Sequence, residues 1–345
     1  MAVAPTRGGK GLLAVSELLN WPHSVVVNDI KGDLFLQTAG YRSRLGKVVV
    51  IDPTGFGHHY DPLQGRETED ELYSSAKHLL FDPSDGDGVI FTQRATVQLT
   101  QLFRAAKMQS IPAFPYVYHM LQLGLRDAAE RLNTLSPLLA TRFLDARLEA
   151  ANWDDKFLLS SWSTLSARLA FLTQTVIRSL SSGDFTARDL MCGDAPISVY
   201  LRWPERDLLA LSPLVRLLWG SLIDSLISHF DTLQGKGKNC RPVLLLIDEA
   251  GRTAIPSLAD HATTVVGQGI TLWIAIQALP SLKQSTAKPV LIHCAITWTR
   301  KFIIAKQVRR QRNIYNALWA TARALPTRTR RMRAWKRVRV KQSRQ

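Results

Sequence analysis

The feature that most constrains this chain is a glycine-rich segment close to its first residue. Four residues separate Ala4 from the Gly9–Lys10 pair, which is the Walker A spacing. Glycines allow positive φ angles and a close approach of the backbone to a polyphosphate, and Lys10 supplies a positive charge for the terminal phosphates. The apolar run Leu12–Leu19 predicts a helix whose N-terminus faces the same phosphates. The predicted phosphate-binding loop comprises Ala4, Pro5, Thr6, Arg7, Gly8, Gly9, Lys10 and Gly11.

Two positions of this loop depart from the usual pattern. Ala4 stands where the first glycine is expected, and Gly11 replaces the Ser or Thr whose hydroxyl normally binds Mg²⁺. A helix N-terminus with a flexible lead-in would give a similar short pattern, so the loop needs a partner motif. Which hydroxyl would help to bind Mg²⁺ stays open at this point.

A second motif supplies that partner. The apolar run 241–247 predicts a buried parallel strand, and Asp248 and Glu249 follow it directly. Ligands of such sheets bind at the carboxyl ends of the strands. There, Asp248 can hold Mg²⁺ through water, and Glu249 can polarise an attacking water as general base. An ordinary strand-to-helix cap is the alternative, and the presence of both motifs in the expected order argues against it.

Two further places at the same sheet edge carry polar side chains. The predicted strand Ile270–Gln277 ends in Gln277, whose amide is a candidate for sensing the γ-phosphate or orienting the water. The alternative for Gln277 is an ordinary strand-end amide. Lys31 and Asp33 follow another predicted strand, and they either contact a ligand or form a local salt bridge that fixes the turn.

Strand and helix patterns alternate at both ends of the chain, with a long helical block from about Glu67 to Leu180 between them. Besides the two strands above, strands are predicted at His23–Ile30, Lys47–Ile51, Pro196–Trp203 and Val290–Trp298. Helices are predicted at Leu34–Leu45, Pro213–Phe230 and Ser257–Gly267, and a flexible loop at Thr232–Asn239. The pattern predicts an α/β P-loop fold with a mainly parallel sheet and an inserted all-helical subdomain.

The net charge of +16 is unevenly distributed. Of the 44 Lys and Arg residues, 16 lie in residues 300–345, which contain no Asp or Glu. That leaves 28 basic residues against 28 acidic residues in the first 299 positions. The body of the protein is therefore neutral, and the tail carries the whole excess.

Cysteine usage and hydropathy bear on the compartment. Cys192, Cys240 and Cys294 are widely spaced and form neither a metal pattern nor a disulfide framework, which favours a reducing compartment. No run approaches the ~18 apolar residues of a membrane span. The first residues also lack the regions of a signal peptide. We therefore expect the chain, as written, to be cytoplasmic.

Taken together, six segments resemble the TraG-like type IV coupling proteins, the ATPases of conjugative DNA transfer and type IV secretion. They are residues 4–11, 24–33, 47–55, 184–223, 244–254 and 269–279. The six segments occur in the same order as in that family. The resemblance covers about residues 2 to 299. A glycine after the Walker lysine is similar to what this family often has, so Gly11 fits the family pattern.

The resemblance implies a RecA-like nucleotide-binding domain that binds ATP and Mg²⁺ and carries a helical subdomain. By this likeness Lys10 would hold phosphate, Asp248 would serve Mg²⁺, Glu249 would activate water and Gln277 would sense the nucleotide state. The implied partners are single-stranded DNA, a relaxase nucleoprotein and other secretion components. The intact family form would be a homo-hexamer at the cytoplasmic face of the bacterial inner membrane, anchored by N-terminal transmembrane helices.

Relative to that family pattern, the sequence is expected to be truncated at both ends. No membrane segment precedes the loop, and the strand before it is reduced to Ala2–Val3. We expect residues 1–66 and 184–299 to form the nucleotide-binding domain, residues 67–183 the helical subdomain, and residues 300–345 a basic tail. The tail is either a DNA-binding arm, with Trp319 and Trp335 available to stack on bases, or the product of a frameshift. We favour the frameshift because family likeness and acidic residues vanish together.

Three functions follow from these observations. The leading hypothesis is an ATP-dependent coupling protein that moves single-stranded DNA or nucleoprotein into the secretion channel, present here in truncated form. The second is a catalytically inactive remnant that binds nucleic acid non-specifically through the tail. The third is a soluble P-loop ATPase unrelated to transfer.

Overall fold

The computed structural model describes residues 2–3, 9–54, 57–81, 88–235, 240–250, 252–253, 255, 258, 265–276 and 303–304. The strands are β1 (Ala2–Val3), β2 (Val25–Asp29), β3 (Lys47–Ile51), β4 (Ile197–Arg202), β5 (Val243–Ile247), β6 (Ile270–Ile276) and β7 (Ile303–Ile304). The helices that flank or join them are α1 (Lys10–Asn20), α2 (Asp33–Arg42), α10 (Ala187–Cys192) and α11 (Ser212–Gly235). The helices between them in the chain are α3 (Glu69–Leu80), α4 (Val89–Met108), α5 (Ala113–Leu123), α6 (Leu125–Leu135), α7 (Pro137–Leu144), α8 (Lys156–Arg168) and α9 (Gln174–Ser179).

The strands form one sheet in the order β3-β4-β2-β5-β6-β1-β7, and every described pairing is parallel. In β2, β4 and β5 the β-branched and aliphatic residues are buried on both faces, as expected for a parallel sheet covered by helices. Val26 of β2 lies opposite Val199 of β4 and Leu245 of β5, which fixes the register at the centre of the sheet. The predicted mainly parallel sheet is confirmed.

The two faces of the sheet are covered by different helices. Val25 and Val27 pack with Ala14 and Leu18 of α1 on one face. Val26 points to the opposite face, where the core continues into α3–α9 and α11. Most of the apolar core therefore lies on the side of the helical block.

Several element boundaries differ from the sequence-based expectation. Helix α11 continues to Gly235, so Thr232 is helical rather than part of a loop, and its hydroxyl donates to the carbonyl oxygen of Ser228 (2.9 Å). Near the end of the predicted helical block, a non-helical connection separates α8 from α9. The predicted strand Val290–Trp298 lies outside the described residues, as does most of the predicted helix Ser257–Gly267. The basic tail does so too, except for β7.

In the part of the chain that is described, no helix combines the length and the apolar character that a membrane crossing requires.

Candidate functional site

The carboxyl edge of the sheet brings together three of the residues predicted from the sequence. Lys10 begins α1, and Asp248 and Glu249 directly follow β5. Lys10 is close enough to both acids for its charge to interact with theirs. Five residues of the predicted loop, Ala4, Pro5, Thr6, Arg7 and Gly8, lie outside the described residues, and so does Gln277. Their roles stay predictions.

The start of α1 has the geometry of an anion-binding site. Gly9 has a φ of 81°, a left-handed conformation that glycine adopts without strain, and it provides no side-chain cap. Because Gly9 has no side chain, it cannot cap the backbone N–H groups of the first helical turn. Such N–H groups and the helix dipole favour an anion at this end of the helix.

Lys10 is a buried cation whose amine has no hydrogen-bond acceptor among the residues that the structure describes. Its side chain is 8% exposed, and within the described ranges no group accepts a hydrogen bond from Nζ. Burial lowers the pKa of Lys10, and the nearby carboxylates of Asp248 and Glu249 oppose that shift. Buried polar groups normally have partners, so the unsatisfied amine fits a phosphate oxygen as its missing acceptor.

Asp248 is held in place by two backbone contacts. Its Oδ1 accepts a hydrogen bond from the Glu249 amide (3.0 Å), and its carbonyl oxygen accepts one from Asn28 Nδ2 (3.0 Å). Burial and the neighbouring charge of Glu249 raise the pKa of the Asp248 carboxyl. A carboxylate that is costly to ionise gains from a nearby cation, so Asp248 fits the role of a Mg²⁺ ligand, directly or through water.

Glu249 has an unusual backbone conformation and two cationic neighbours. Its φ is 53°, a backbone conformation that residues other than glycine rarely adopt and that is often found at functional sites. Oε1 forms an ion pair with Lys31 (3.3 Å), and Oε2 forms one with Arg252 (3.3 Å). Arg252 also pairs with Glu205 (2.6 Å). Both oxygens of the candidate base are therefore engaged by cations.

The ion pair with Glu249 corrects one sequence-based alternative. Lys31 pairs with Glu249, 218 positions away, and no described ion pair joins Lys31 to the local Asp33. The turn after β2 is fixed by Asp29 instead. Its carboxylate accepts hydrogen bonds from the amides of Gly32 (2.9 Å) and Phe35 (2.8 Å).

Asn28 is a structural residue of the site that the sequence analysis missed. It is fully buried in β2, and its Nδ2 donates to Asp248 O and to Thr253 Oγ1 (3.0 Å). Its Oδ1 accepts hydrogen bonds from the indole N–H groups of Trp203 (2.9 Å) and Trp219 (3.3 Å). The available signal was a lone amide inside an otherwise β-branched strand.

A cleft of about 290 Å³ opens beside Glu249 at the same edge. The residues that line it come from the ends of β2, β3 and β4: Ile30, Lys31, Asp52, Arg202, Trp203, Pro204 and Glu205. Lys31 and Glu205 belong both to this cleft and to the ion-pair network of Glu249. The sequence pattern indicates Lys31 as a candidate ligand contact but does not reveal the cleft.

Comparison with known proteins places this arrangement in a family. Residues 1–288 match the model of the family described as "Type IV secretory system Conjugative DNA transfer". The conjugal transfer protein TraG of Escherichia coli is 29% identical over 316 residues, covering 82% of this chain and 48% of TraG. The protein VirD4 of Rhizobium radiobacter is 29% identical over 308 residues, covering 82% of this chain and 42% of VirD4. The chain thus spans about half the length of these relatives.

A solved structure shows the same fold. The plasmid coupling protein TrwB, in complex with the ATP analogue ADPNP, superposes with a TM-score of 0.66 at 19% identity. The superposition covers 86% of this chain and 67% of TrwB. The predicted α/β P-loop fold and the TraG-like resemblance are confirmed. The extent of the family match shows that the chain belongs to the type IV secretory system conjugative DNA transfer family.

Proposed function

We propose that this chain is the nucleotide-hydrolysing part of a type IV coupling protein, which uses ATP and Mg²⁺ to move single-stranded DNA or nucleoprotein into a secretion channel. The observation that carries the proposal is the buried amine of Lys10, which has no hydrogen-bond partner in the described part of the chain and lies near two carboxylates. TrwB has been solved with ADPNP and with ADP and Mg²⁺, which supports the same ligands here.

The described side chains divide the work as follows. Lys10 and the first turn of α1 bind the phosphates, and Asp248 holds Mg²⁺, which would neutralise phosphate charge when bound. Glu249 accepts a proton from the attacking water. Lys31 and Arg252 each engage one of its oxygens, and each oxygen keeps a second lone pair that can accept from the water. Gln277 and the loop residues 4–8 complete the nucleotide site in this proposal.

The same proposal assigns the parts of the chain. Residues 1–66 and 184–299 form the nucleotide-binding domain, and residues 67–183 form the helical subdomain. Support comes from the position of α3–α9, which lie between β3 and β4 in the chain. The proposed partners are single-stranded DNA, a relaxase nucleoprotein, the secretion machinery and other copies of the chain in a hexamer. The proposed place of action is the cytoplasmic face of the inner membrane.

The test of the nucleotide site is Lys10→Met, which keeps an unbranched, apolar stem but removes the amine. We expect binding of ATP with Mg²⁺, measured by calorimetry, to fall below detection while the circular dichroism spectrum is unchanged. Lys77→Met is the matched control, because Lys77 is exposed on α3 and should bind as the parent does. Equal ATP affinity of the parent and Lys10→Met would refute the assignment.

One observation favours a second function. The 16 basic and no acidic residues of 300–345 support an inactive remnant that binds nucleic acid through its tail. In the full chain, the triple substitution Arg330→Gln, Arg331→Gln and Arg333→Gln should then reduce the salt dependence of single-stranded DNA binding by about 0.7 per lost phosphate contact. The control replaces the exposed Lys77, Lys156 and Arg206 by Gln. Stimulation of ATP hydrolysis by DNA in the full chain would exclude the remnant.

A further inference from the structure

Two cysteines that are 48 positions apart in the sequence meet at the amino edge of the sheet. Cys192 is the last residue of α10, and Cys240 lies shortly before β5. The backbone N–H of Arg241 donates to the carbonyl oxygen of Met191 (3.0 Å), so each cysteine is one residue away from a hydrogen-bonded contact. The two thiols are themselves close enough to interact. Their wide spacing in the sequence gives no sign of this proximity.

The two thiols differ in their surroundings. Cys192 is exposed to solvent, whereas Cys240 is partly buried. Burial and the neighbouring Cys192 thiol raise the pKa of Cys240. Because the thiolate is the reactive form and must meet the oxidant, Cys192 is the side chain that an oxidant reaches first. Cys240 is placed to react second.

We propose that Cys192 and Cys240 form a redox-sensitive pair that a peroxide converts to an intramolecular disulfide. The Cys192 thiolate attacks hydrogen peroxide, forms a sulfenic acid and releases water after protonation. The Cys240 sulfur then attacks the Cys192 sulfur, loses its proton and displaces a second water. Two thiols and one hydrogen peroxide therefore give one disulfide and two waters, and a thiol reductant reverses the reaction.

A metal site explains the pair less well. Structural zinc requires four ligands, usually Cys or His. Among the residues with described positions, no group of three or more His, Cys, Asp or Glu side chains could hold a metal ion. Two neighbouring thiols without a third ligand favour a disulfide instead.

The disulfide would join two parts of the sheet that are not hydrogen-bonded to each other. β4 and β5 are separated by β2 in the strand order. At their amino ends both contact Ser24, whose carbonyl oxygen accepts from the Leu244 amide (3.0 Å) and whose Oγ accepts from the Ile197 amide (3.0 Å). A bond from Cys192 to Cys240 adds a covalent link at the edge opposite Lys10, and it closes a loop that contains β4 and α11.

The test uses the full chain with Cys294→Ser, so that only the two proposed thiols remain. Treatment with hydrogen peroxide should remove both free thiols without forming dimers, and mass spectrometry of tryptic peptides should find the Cys192 and Cys240 peptides linked. The thermal midpoint should rise by about 5–10 °C, because the bond restricts the unfolded chain. Dithiothreitol should restore the original midpoint and both thiols.

Single substitutions give the control. Cys192→Ser and Cys240→Ser, each in the Cys294→Ser background, should show neither the linked peptide nor the rise in midpoint. Peroxide treatment that leaves Cys192 as sulfinic acid with Cys240 still free, or that yields only intermolecular disulfides, would overturn the proposal. Because none of these measurements depends on nucleotide, their outcome is independent of the proposed ATPase activity.

Discussion

Asn28 and Lys10 are both buried polar side chains near the carboxyl edge of one sheet, yet their hydrogen bonding is opposite. Every polar atom of the Asn28 amide is engaged: Nδ2 donates twice, and Oδ1 accepts twice. Lys10 Nζ donates to no acceptor in the described structure. Burial therefore accompanies a satisfied group in one case and an unsatisfied group in the other.

This difference separates the scaffold from the binding surface. Asn28 joins β2 to the residues after β4 and β5 and to α11, and it fixes the backbone of Asp248. Its bonds are complete without any ligand, which is typical of a structural role. The Lys10 amine carries a desolvation cost that a phosphate would offset. Substitution of Asn28 should therefore lower the stability of the fold. Substitution of Lys10 should instead raise stability and remove phosphate binding.

The largest effect on stability is expected for Asn28→Leu. The substitution removes the acceptor of two buried indole N–H groups, on Trp203 and Trp219, and the donor to Asp248 O. Each unsatisfied buried group costs about 1–3 kcal/mol, so the free energy of unfolding should fall by at least about 3 kcal/mol in urea titrations. The exposed Asn20, changed to Ala, should alter it by less than about 1 kcal/mol. A loss below about 1 kcal/mol for Asn28→Leu would show that the Asn28 hydrogen bonds do not stabilise the fold, and the contrast between a structural Asn28 and a ligand-binding Lys10 would fail.

The next effect concerns turnover. Glu249→Gln keeps the shape of the side chain but removes the charge that accepts the proton, so the rate of ATP hydrolysis should fall about 10²–10⁴-fold while ATP still binds. Glu205→Gln is the matched control, because Glu205 shares the partner Arg252 but is not a candidate base. It should keep the parental rate within about threefold. Hydrolysis by Glu249→Gln at the parental rate would assign the base to another residue.

The sequence alone predicts the sheet and its ligand edge well, because apolar strands that end in polar residues have a simple pattern. Parallel strands place their carboxyl ends at one edge, so Lys10 and Asp248 could be assigned to one site before any contact was known. Such a pattern does not show the order of the strands in the sheet or the side-chain contacts between elements that are distant in the sequence. Asn28 meets Trp219 across 191 positions and Thr253 across 225.

Two other contacts were missed for the same physical reason. The pair of Lys31 with Glu249 depends on β2 and β5 being neighbours. The approach of Cys192 to Cys240 depends on where α10 packs. Helix ends are a different case, since α11 extends through polar residues where the side-chain pattern changes but the backbone hydrogen bonds continue.

A smaller effect is expected in the pH dependence of stability. Burial lowers the pKa of Lys10 in the folded state below the ordinary lysine value of about 10.4. Between these two pKa values the unfolded chain binds more protons, so the free energy of unfolding contributed by Lys10 rises with pH. Lys10→Met should therefore be more stable than the parent at neutral pH, with an advantage that shrinks as the pH approaches 10.

Urea titrations of the parent and Lys10→Met at several pH values between 7 and 10 measure this difference. Lys77→Met should differ from the parent by the same amount at every pH, because Lys77 is exposed. A pH-independent difference for Lys10→Met would mean that the amine is not desolvated in solution, and the contrast with Asn28 would then be lost.

The smallest effect is expected where a polar group is added beside Lys10. A Cβ on Gly11 meets no atom within 4 Å among the described residues, and Gly11 lies in the first turn of α1. Gly11→Ser and Gly11→Ala should both raise the free energy of unfolding, by about 0.3–1 kcal/mol, because both form helix better than glycine.

Only Ser adds the hydroxyl that Walker loops use for Mg²⁺. Calorimetry should therefore find ATP binding a few-fold tighter for Gly11→Ser than for Gly11→Ala when Mg²⁺ is present, and equal binding when it is absent. Gly9→Ala, at a φ of 81°, should instead destabilise α1 despite equal space, since its backbone is strained for any other residue. Equal affinities of Gly11→Ser and Gly11→Ala with Mg²⁺ would show that the metal is held on the Asp248 side of the site rather than from α1.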